Sequence, residues 1–326
     1  MFAWRFSLYI IERMLKEKSK ILVTGATGFV GSHMAHRLVK DGHEVHVIIR
    51  EKSNTYRIDD IISNVSVHKG NLEDKTFLQS IVKNFRFDGI FHFAASLIIP
   101  GVTDDDFINT NALGTLNLIN TLAETDYSFF INSGSFLEYG SKTVAIKESD
   151  ICLPNELYGI TKLTGTLYAR VISKTKNKPI ITFRIFTPYG PFNGRDRLVH
   201  RIIANSLDNK DIELTSPNVS RDFIFTDDII DLYLEAAEKA SQFSGEIFNA
   251  GTGVKTTIGE LVDYVVKKIG SKSNIKWGAF QSAKYDSDIW QADMTKTFST
   301  FKWRPKYDLK SGVDKTIEEF KKEHLK

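Results

Sequence analysis

Short apolar runs alternate with segments whose apolar residues recur every three or four positions through the first half of the chain. The runs are typical of buried strands, and the periodic segments are typical of helices. The pattern predicts strands at residues 20–24, 44–49, 65–68, 89–93 and 129–132, and helices at 32–40, 76–84 and 111–124. Strands that alternate with helices predict an α/β fold with a doubly wound parallel sheet.

The alternation becomes less regular after residue 187, where turn residues in the segment TPYGP at 187–191 interrupt short elements. Helices are predicted at 228–240 and 258–269. We therefore expect a first domain over residues 19–187 and a smaller, mixed α/β region over 188–326. The crevice between two such regions is a natural ligand site.

Residues 1–18 precede the first predicted strand and form an N-terminal extension in this division. Arg5, Glu12 and Arg13 interrupt its apolar residues, so that no uncharged core of a signal peptide remains. We interpret the extension as a non-functional segment that precedes Met14, the usual start. The alternative is an accessory helix packed on the domain.

Composition narrows the classes of protein. The 326 residues are 42% hydrophobic and carry a net charge of +3, which is ordinary for a globular chain and excludes disorder and collagen. This charge balance does not indicate a nucleic-acid-binding surface, and no apolar run approaches the roughly 18 residues that span a bilayer. We therefore expect neither a nucleic acid nor a membrane as a partner. The single cysteine, Cys152, excludes an intrachain disulfide and a zinc–thiolate site. We expect a cytoplasmic protein without a metal.

Glycines at 25, 28 and 31 stand between the first predicted strand and the first predicted helix. In such a turn Gly25 allows the tight bend, Gly28 lets the backbone approach a pyrophosphate, and Gly31 lets the helix pack on the strand. The amino end of the helix adds N–H groups and a partial positive charge. The motif therefore predicts a dinucleotide site, and the alternative is a glycine-rich turn without a ligand.

The G-x-x-G-x-x-G spacing, in this context, resembles that of the extended short-chain dehydrogenase/reductase family, which includes nucleotide-sugar epimerases, dehydratases and reductases. The resemblance covers residues 20 to about 305 and rests on several motifs in the family's order. It implies a Rossmann-type fold, a nicotinamide cofactor and a nucleotide-sugar substrate. It implies cofactor contacts from these residues of the turn: Gly25, Thr27, Gly28, Phe29, Val30 and Gly31.

The end of the second strand bears on the choice between NAD and NADP. An acidic residue there usually binds the ribose hydroxyls of NAD, but this strand ends in Ile49 and Arg50. Arginine can hold a ribose 2′-phosphate through paired donors. We therefore favour NADP(H), with NAD(H) possible if Arg50 is merely solvated and Glu51 reaches the ribose.

Two further segments match family positions beside the cofactor. Asn71 stands where the family often places an aspartate that touches the adenine, and Leu72 follows it. The sequence Phe93-Ala94-Ala95 matches the family's strand-end segment, where small residues let the backbone approach the cofactor. A tightly packed strand end is compatible with the same residues.

Tyr158 and Lys162 form a Tyr-x-x-x-Lys pattern, which places both side chains on one face of a helix. The reference pKa of a tyrosine is about 10, and a nearby ammonium and the positively charged nicotinamide favour its phenolate form. Tyr158 can then exchange a proton with a substrate oxygen, and Lys162 can hold the nicotinamide ribose. The alternative is a packed tyrosine beside a solvated lysine.

The segment SGSFLEYG at 133–140 resembles the family's Ser-Ser-x-x-x-Tyr-Gly segment. Counted back from Tyr139, Ser135 takes the position of the catalytic hydroxyl, and Ser133 is the neighbouring candidate. Either hydroxyl can instead belong to a strand-end turn. Asn111 matches the family's asparagine that steadies the active-site helix, and it is equally compatible with a plain helix cap.

The substrate side rests on three family segments. Thr187 replaces the asparagine of Arg-x-x-Asn-x-Tyr-Gly-Pro, and Arg221 of Arg-Asp-Phe would bind the diphosphate of a nucleotide-sugar. The alternative for Arg221 is a surface pair with Asp222. Asp227 is expected to cap the following helix. Lys284 stands near the place of a second phosphate-binding arginine and can substitute as a point charge.

The residues after Ser135 bear on the reaction. Dehydratases of the family carry Thr-Asp-Glu there, whereas this chain has Ser135-Phe136-Leu137, so a 4,6-dehydratase is not expected. Arg50 favours an enzyme that exchanges NADPH, and the leading hypothesis is a reductase of nucleotide-linked 4-keto-6-deoxyhexoses. The alternatives are an NAD-dependent nucleotide-sugar 4-epimerase and a non-catalytic dinucleotide sensor. The resemblance also implies a homodimer that forms through the helices at 111–124 and 158–174.

Overall fold

The computed structural model describes residues 18–279 and 289–324. Its strands in chain order are β1 Lys20–Thr24, β2 Glu44–Ile49, β3 Val65–Lys69, β4 Gly89–His92, β5 Phe129–Ser135, β6 Ile180–Ile185, β7 Thr187–Tyr189, β8 Ile212–Leu214, β9 Ser220–Arg221, β10 Phe223–Phe225, β11 Ile247–Ala250, β12 Thr256–Thr257, β13 Ile275–Trp277 and β14 Ile289–Trp290. The central sheet has seven strands in the order β11-β6-β5-β4-β1-β2-β3. All its neighbouring strands run parallel.

The α-helices in chain order are α1 Phe29–Lys40, α2 Lys75–Asn84, α3 Asp104–Asp106, α4 Thr115–Ala123, α5 Leu157–Lys176, α6 Leu198–Leu207, α7 Thr226–Glu238, α8 Ile258–Ile269, α9 Thr295–Thr300 and α10 Leu309–His324. A π-helix, Phe107–Gly114, joins α3 to α4, and short 3-10 helices lie at Asp59–Asn64 and Phe136–Tyr139. Within the described residues no helix is both long and apolar enough to cross a membrane.

Helices cover both faces of the central sheet because alternate strand residues point to opposite sides. On β1, Ile21 and Val23 join one core with α1 and α7. Leu22, between them, joins a second core with α2, α4 and α5. The strand order reverses between β1 and β4, where a sheet of this type opens its ligand crevice. The prediction of a Rossmann-type, doubly wound α/β fold is confirmed.

The second region has a core of its own. It forms between α6, α8, α10 and the short strands near them, with Ile202, Leu261 and Val313 fully buried. The chain nevertheless returns to the first region, because β11 pairs with β6 and α7 packs on the central sheet. The segments after residue 187 thus contribute to both cores, and the division of the chain at this residue stays a prediction.

Two local predictions are wrong. The helix predicted at 111–124 begins seven residues earlier, at Asp104, and runs through the π-helix before α4. The helix predicted from residue 228 begins at Thr226, so Asp227 lies in its first turn and pairs with Lys315 Nζ at 2.7 Å instead of capping it. The N-terminal extension lies outside the described residues apart from Lys18.

Candidate active site

The glycine turn lies at the carboxyl end of β1, beside the switch point of the sheet. Gly25 has φ +74°, and a Cβ there would lie 2.6 Å from the Ala94 backbone nitrogen. A Cβ on Gly31 would lie 2.2 Å from the Gly25 carbonyl oxygen. Gly28 precedes α1 and, among the described residues, no side chain caps this helix. The turn is therefore tight and leaves helix amides facing outward, which fits a pyrophosphate.

Other residues of the turn have structural partners. Arg57 Nη1 donates to the Thr27 carbonyl at 3.1 Å, and its Nε donates to the Phe192 carbonyl at 2.7 Å. Phe29 meets the His33 ring edge-on at 5.5 Å, and Val30 packs against the core. Arg57 thus joins the glycine turn to the second region, a contact that was not predicted from the sequence.

The end of β2 carries the residues predicted to choose the cofactor. Arg50 is exposed, and its backbone amide donates to Ser53 Oγ at 3.1 Å. Hydrogen bonds from Thr103 lower the pKa of Asp106, with a smaller contribution from the Arg50 charge. Glu51 is exposed and lies 3.8 Å from Lys69 Nζ. Both candidate side chains are open to solvent at the edge of the cleft.

The segments expected near the adenine and the nicotinamide line the same end of the sheet. Asn71 is exposed, whereas Leu72 is buried and its carbonyl accepts from Asn117 Nδ2 at 3.2 Å. Phe93, Ala94 and Ala95 follow β4 and are half-buried. Their backbone lies against Gly25, which brings the ends of β1 and β4 together.

Ser135, Tyr158 and Lys162 meet at the carboxyl end of β5. Ser135 is the last residue of this strand, and its side chain lies close enough to Tyr158 to act on the pKa of the phenol. Tyr158 and Lys162 stand one turn apart on α5. Burial raises the pKa of Tyr158 to about 12, and the Ser135 side chain opposes this. Burial lowers the pKa of Lys162 to about 8, and the Glu138 carboxylate opposes this.

Glu156 fixes the start of α5 and thereby the place of Tyr158. Its carboxylate accepts from the backbone amide of Tyr158 at 2.8 Å and from that of Gly159 at 2.7 Å. Burial raises the pKa of Glu156, and the two amide bonds oppose this. Glu156 was not predicted, although the helix dipole favours an acidic residue at the amino end of a helix.

Asn111 and Ser133 have partners that limit their roles. Asn111 lies inside the π-helix, so the alternative of a plain helix cap is wrong; its side chain pairs with the backbone of Ser96. The Ser133 hydroxyl lies 3.2 Å from that of Tyr233 on α7. Of the two serines, Ser135 is the one whose side chain acts on the pKa of Tyr158.

On the substrate side, Thr187 opens β7, and its buried hydroxyl has no hydrogen-bond partner among the described residues. Arg221 is half-buried on β9 and donates to the Ser220 carbonyl at 3.2 Å. Its surface pair with Asp222 is wrong, because Asp222 is fully buried and accepts from the amides of Thr252 and Gly253. Lys284 lies outside the described residues.

The residues after Ser135 pack inward. Phe136 stacks on Phe186 with ring centroids 5.6 Å apart and meets Trp290 edge-on at 4.7 Å. Glu138 is fully buried and accepts from Arg184 Nε at 2.7 Å. Positions 136–138, which follow Ser135, thus present no free carboxyl group for elimination chemistry.

Comparison with known proteins identifies the family of this chain. The sequence model of the NAD dependent epimerase/dehydratase family matches residues 21–251. The chain belongs to this family. It is therefore an enzyme of the extended short-chain dehydrogenase/reductase type that uses a pyridine nucleotide, and the resemblance read from its motifs is confirmed.

Three relatives illustrate the range of the family. UDP-glucuronic acid 4-epimerase from Bacillus cereus, solved with UDP-glucuronic acid and NAD, is 26% identical, with a TM-score of 0.84 over 93% of this chain and 99% of that chain. UDP-glucose 4-epimerase from Thermotoga maritima, solved with UDP-glucose, is 26% identical, with a TM-score of 0.86 over 94% of this chain and 100% of that chain. CDP-abequose synthase from Salmonella muenchen is 24% identical over 93% of this chain and 99% of its own length.

Proposed function

We propose that this enzyme transfers hydride between a nicotinamide cofactor and the C4 position of a nucleotide-linked hexose. The observation that carries the proposal is the meeting of Ser135, Tyr158 and Lys162 at the end of β5, next to the glycine turn. These residues are the proposed catalytic set. Their retention argues against the non-catalytic sensor.

Each member of the set has a distinct task. The bound nicotinamide supplies or accepts the hydride. Tyr158 gives its proton to the carbonyl oxygen in reduction and takes a proton from the hydroxyl in oxidation. Ser135 holds the same oxygen by a hydrogen bond, and the Lys162 ammonium favours the Tyr158 phenolate and holds the nicotinamide ribose.

The remaining predicted residues take binding tasks. Arg221 would pair with the diphosphate of the nucleotide-sugar, and the unpartnered Thr187 hydroxyl would bind a phosphate or sugar oxygen. The uncapped amino end of α1 suits the cofactor pyrophosphate. Lys284 stays a candidate phosphate contact on sequence grounds alone.

A 4-epimerase is the first candidate reaction. It would oxidise the C4 hydroxyl, let the bound 4-keto sugar rotate so that its opposite face meets the cofactor, and return the hydride to that face. The observation that favours it is the likeness to two 4-epimerases, of which one holds NAD and UDP-glucuronic acid and the other UDP-glucose.

A reductase of a nucleotide-linked 4-keto-6-deoxyhexose is the second candidate. Arg50 at the end of β2, which suits a 2′-phosphate and hence NADP(H), favours it. The relative named CDP-abequose synthase matches this chain over nearly its whole length. The epimerase comes first here because its support includes structures with bound ligands.

The deciding experiment identifies the nucleotide that copurifies with the enzyme by mass spectrometry after denaturation. Tightly held NAD, with interconversion of C4 epimers of a UDP-hexose without added cofactor, would establish the epimerase. Cofactor-free protein that consumes NADPH with a nucleotide-linked 4-keto-6-deoxyhexose would establish the reductase. Absence of both activities on every such sugar would contradict the proposal.

The preference for NADP has its own test. In cofactor-stripped protein, Arg50→Ala should weaken NADPH binding by about tenfold or more and leave NADH binding unchanged, since only NADPH carries the 2′-phosphate. Arg86→Ala, an exposed arginine before β4 at the opposite end of the sheet, is the matched control. Equal binding of the two cofactors in wild type and Arg50→Ala would remove the argument for NADP.

We also propose that the enzyme forms a homodimer through α5 and the π-helix. Ile160, Leu167 and Val171 on α5 are each about half exposed and lie on one face. Ile108 and Leu113 on the adjoining π-helix are exposed to a similar extent. A second copy that packs this face against itself would bury all five side chains twice.

A further inference from the structure

A buried carboxylate lies directly behind the proposed catalytic set. Glu138 has no exposed surface, and its Oε1 accepts from the Ser135 backbone amide at 2.8 Å and from the Thr166 hydroxyl at 2.9 Å. Its Oε2 accepts from Arg184 Nε at 2.7 Å. Each carboxylate oxygen therefore has a partner, and these partners lie on β5, α5 and β6.

The geometry ties Glu138 to the Ser135 hydroxyl. Ser135 caps the 3-10 helix Phe136–Tyr139, and Leu137 N donates to Ser135 Oγ at 3.2 Å. The Glu138 side chain closes the same box by accepting from the Ser135 amide. The Ser135 hydroxyl is thus held in two ways. Leu137 N binds it directly, and the Glu138 carboxylate fixes the backbone of Ser135.

The charge of Glu138 reaches the other members of the set. It raises the pKa of Lys162 against burial, and it adds to the burial that raises the pKa of Tyr158. The charged or titratable groups that face Glu138, Tyr158 or Lys162 from the surrounding elements are His92, Tyr139, Cys152, Glu156, Arg184 and Arg197. Of these, Arg184 binds the carboxylate directly, and its guanidinium also lies 4.3 Å from the centre of the Tyr139 ring.

We propose that Glu138 is a positioning residue, which orients the Ser135 hydroxyl through the Ser135 amide and, through its hydrogen bond to Thr166, holds a negative charge one helical turn from Lys162. Arg184 offsets the free-energy cost of burying the Glu138 carboxylate by pairing with it. The role in turnover rests on the proposed function, whereas the effect on Lys162 belongs to this chain whatever substrate it uses.

The test compares three variants. Glu138→Gln removes the charge at nearly constant size, and Thr166→Val removes one hydrogen bond to Oε1 but keeps the charge. The double variant Glu138→Gln with Arg184→Gln removes both charges, so that no unpaired ion stays buried. NMR of isotope-labelled lysine follows the Lys162 titration, with its signal assigned by Lys162→Arg.

In wild type Lys162 should titrate with a pKa of about 8. Both variants without the Glu138 charge should titrate at lower pH, and Thr166→Val should match wild type. In turnover the same two variants should lose kcat by about 10- to 100-fold with little change in the KM of the nucleotide-sugar. The loss of activity at high pH should begin at lower pH in both.

An unmoved Lys162 titration in the two charge-removing variants overturns the proposal. A double variant that fails to fold makes Glu138 a structural residue and overturns it as well. A shifted Lys162 titration in an enzyme that turns over no nucleotide-sugar leaves the inference standing and contradicts the proposed function instead. The titration therefore separates the failure of one from the failure of the other.

Discussion

The side-chain amide of Asn111 pairs with both backbone groups of Ser96. Its Oδ1 accepts from the Ser96 amide at 2.8 Å, and its Nδ2 donates to the Ser96 carbonyl at 3.1 Å. Nδ2 also lies 3.4 Å from the Thr161 hydroxyl on α5. One buried side chain thus joins the loop after β4, the π-helix and the helix that carries Tyr158 and Lys162.

We expect Asn111→Ala to cost both stability and activity. It leaves the buried Ser96 amide and carbonyl unpaired, which costs about 1–3 kcal/mol of unfolding free energy. It also frees the loop and α5 to shift, so kcat should fall by about 10- to 100-fold. Denaturant unfolding and steady-state kinetics measure the two effects.

Asn117→Ala is the matched control for Asn111→Ala. Asn117 is buried on the neighbouring α4, and its amide donates to the carbonyls of Leu72 and Glu73, away from α5. This variant should lose a similar unfolding free energy and keep the wild-type kcat. Equal kcat values in the two variants would show that Asn111 contributes packing alone.

The predictable parts of the site are those whose chemistry is local in the chain. The glycine turn works through its own backbone, and Tyr158 and Lys162 share a helix face at a spacing of four. Both features can therefore be predicted from a short stretch of residues. The alternation of apolar runs likewise predicted the strands of the central sheet up to β5, because the runs of β1, β2, β4 and β5 are buried on both faces.

Two of the residues that were not predicted, Arg57 and Glu138, act across long separations in the chain. Arg57 binds the carbonyl of Phe192, 135 positions further along, and Glu138 binds Arg184, 46 positions further along. A single sequence carries no signal for such pairs. The π-helix was also not predicted, because its residues show no distinct hydrophobic period.

Tyr158→Phe tests the proton-transfer role. The change removes only the hydroxyl, so we expect kcat to fall by about 10²- to 10⁴-fold while cofactor binding and the unfolding free energy stay close to wild type. Turnover assays and cofactor titration measure the two properties. Tyr168→Phe, on the same helix with its hydroxyl bonded to Asn120, is the control and should keep full activity. Wild-type kcat in Tyr158→Phe would remove the residue from the mechanism.

His92 should make the fold sensitive to acid. Its Nδ1 lies 2.6 Å from the Thr24 hydroxyl and its Nε2 lies 2.8 Å from the Thr115 hydroxyl, at the buried end of β4. Burial, with a smaller contribution from the Lys162 charge, lowers the pKa of His92 from 6.5 to about 3. Between these values the unfolded chain binds a proton that the folded chain does not. The unfolding free energy therefore falls as the pH decreases from about 6.5 towards about 3.

The His92 contribution is measurable by denaturant unfolding at about pH 7 and about pH 5, where it amounts to about 2 kcal/mol. Between these two pH values the unfolding free energy of His92→Gln should fall by about 2 kcal/mol less than that of wild type, whatever the stability of the variant at neutral pH. Thr115→Val removes a hydrogen bond but keeps the imidazole, so its unfolding free energy should decrease on acidification by as much as that of wild type. Identical losses in wild type and His92→Gln would contradict the assignment.

The exposed apolar face of α5 leads to the last prediction. Ile160, Leu167 and Val171 are spaced by seven and four positions, which aligns them along one side of the helix. Apolar side chains that stay half exposed in a row of this kind mark a surface that another protein covers. The face belongs to the same helix as Tyr158 and Lys162, so its contacts bear on the site.

We expect Leu167→Glu to weaken the proposed homodimer by more than about tenfold in Kd, because a two-fold interface would bury the new carboxylate twice without a partner. Analytical ultracentrifugation over a range of protein concentrations measures the change. Val254→Glu places the same charge on an exposed apolar residue of the second region and should leave the assembly unchanged. A wild-type chain that sediments as a monomer at every concentration, or a Leu167→Glu chain as dimeric as wild type, would contradict this interface. Loss of kcat in the monomeric variant would further show that contacts across α5 support the placement of Tyr158.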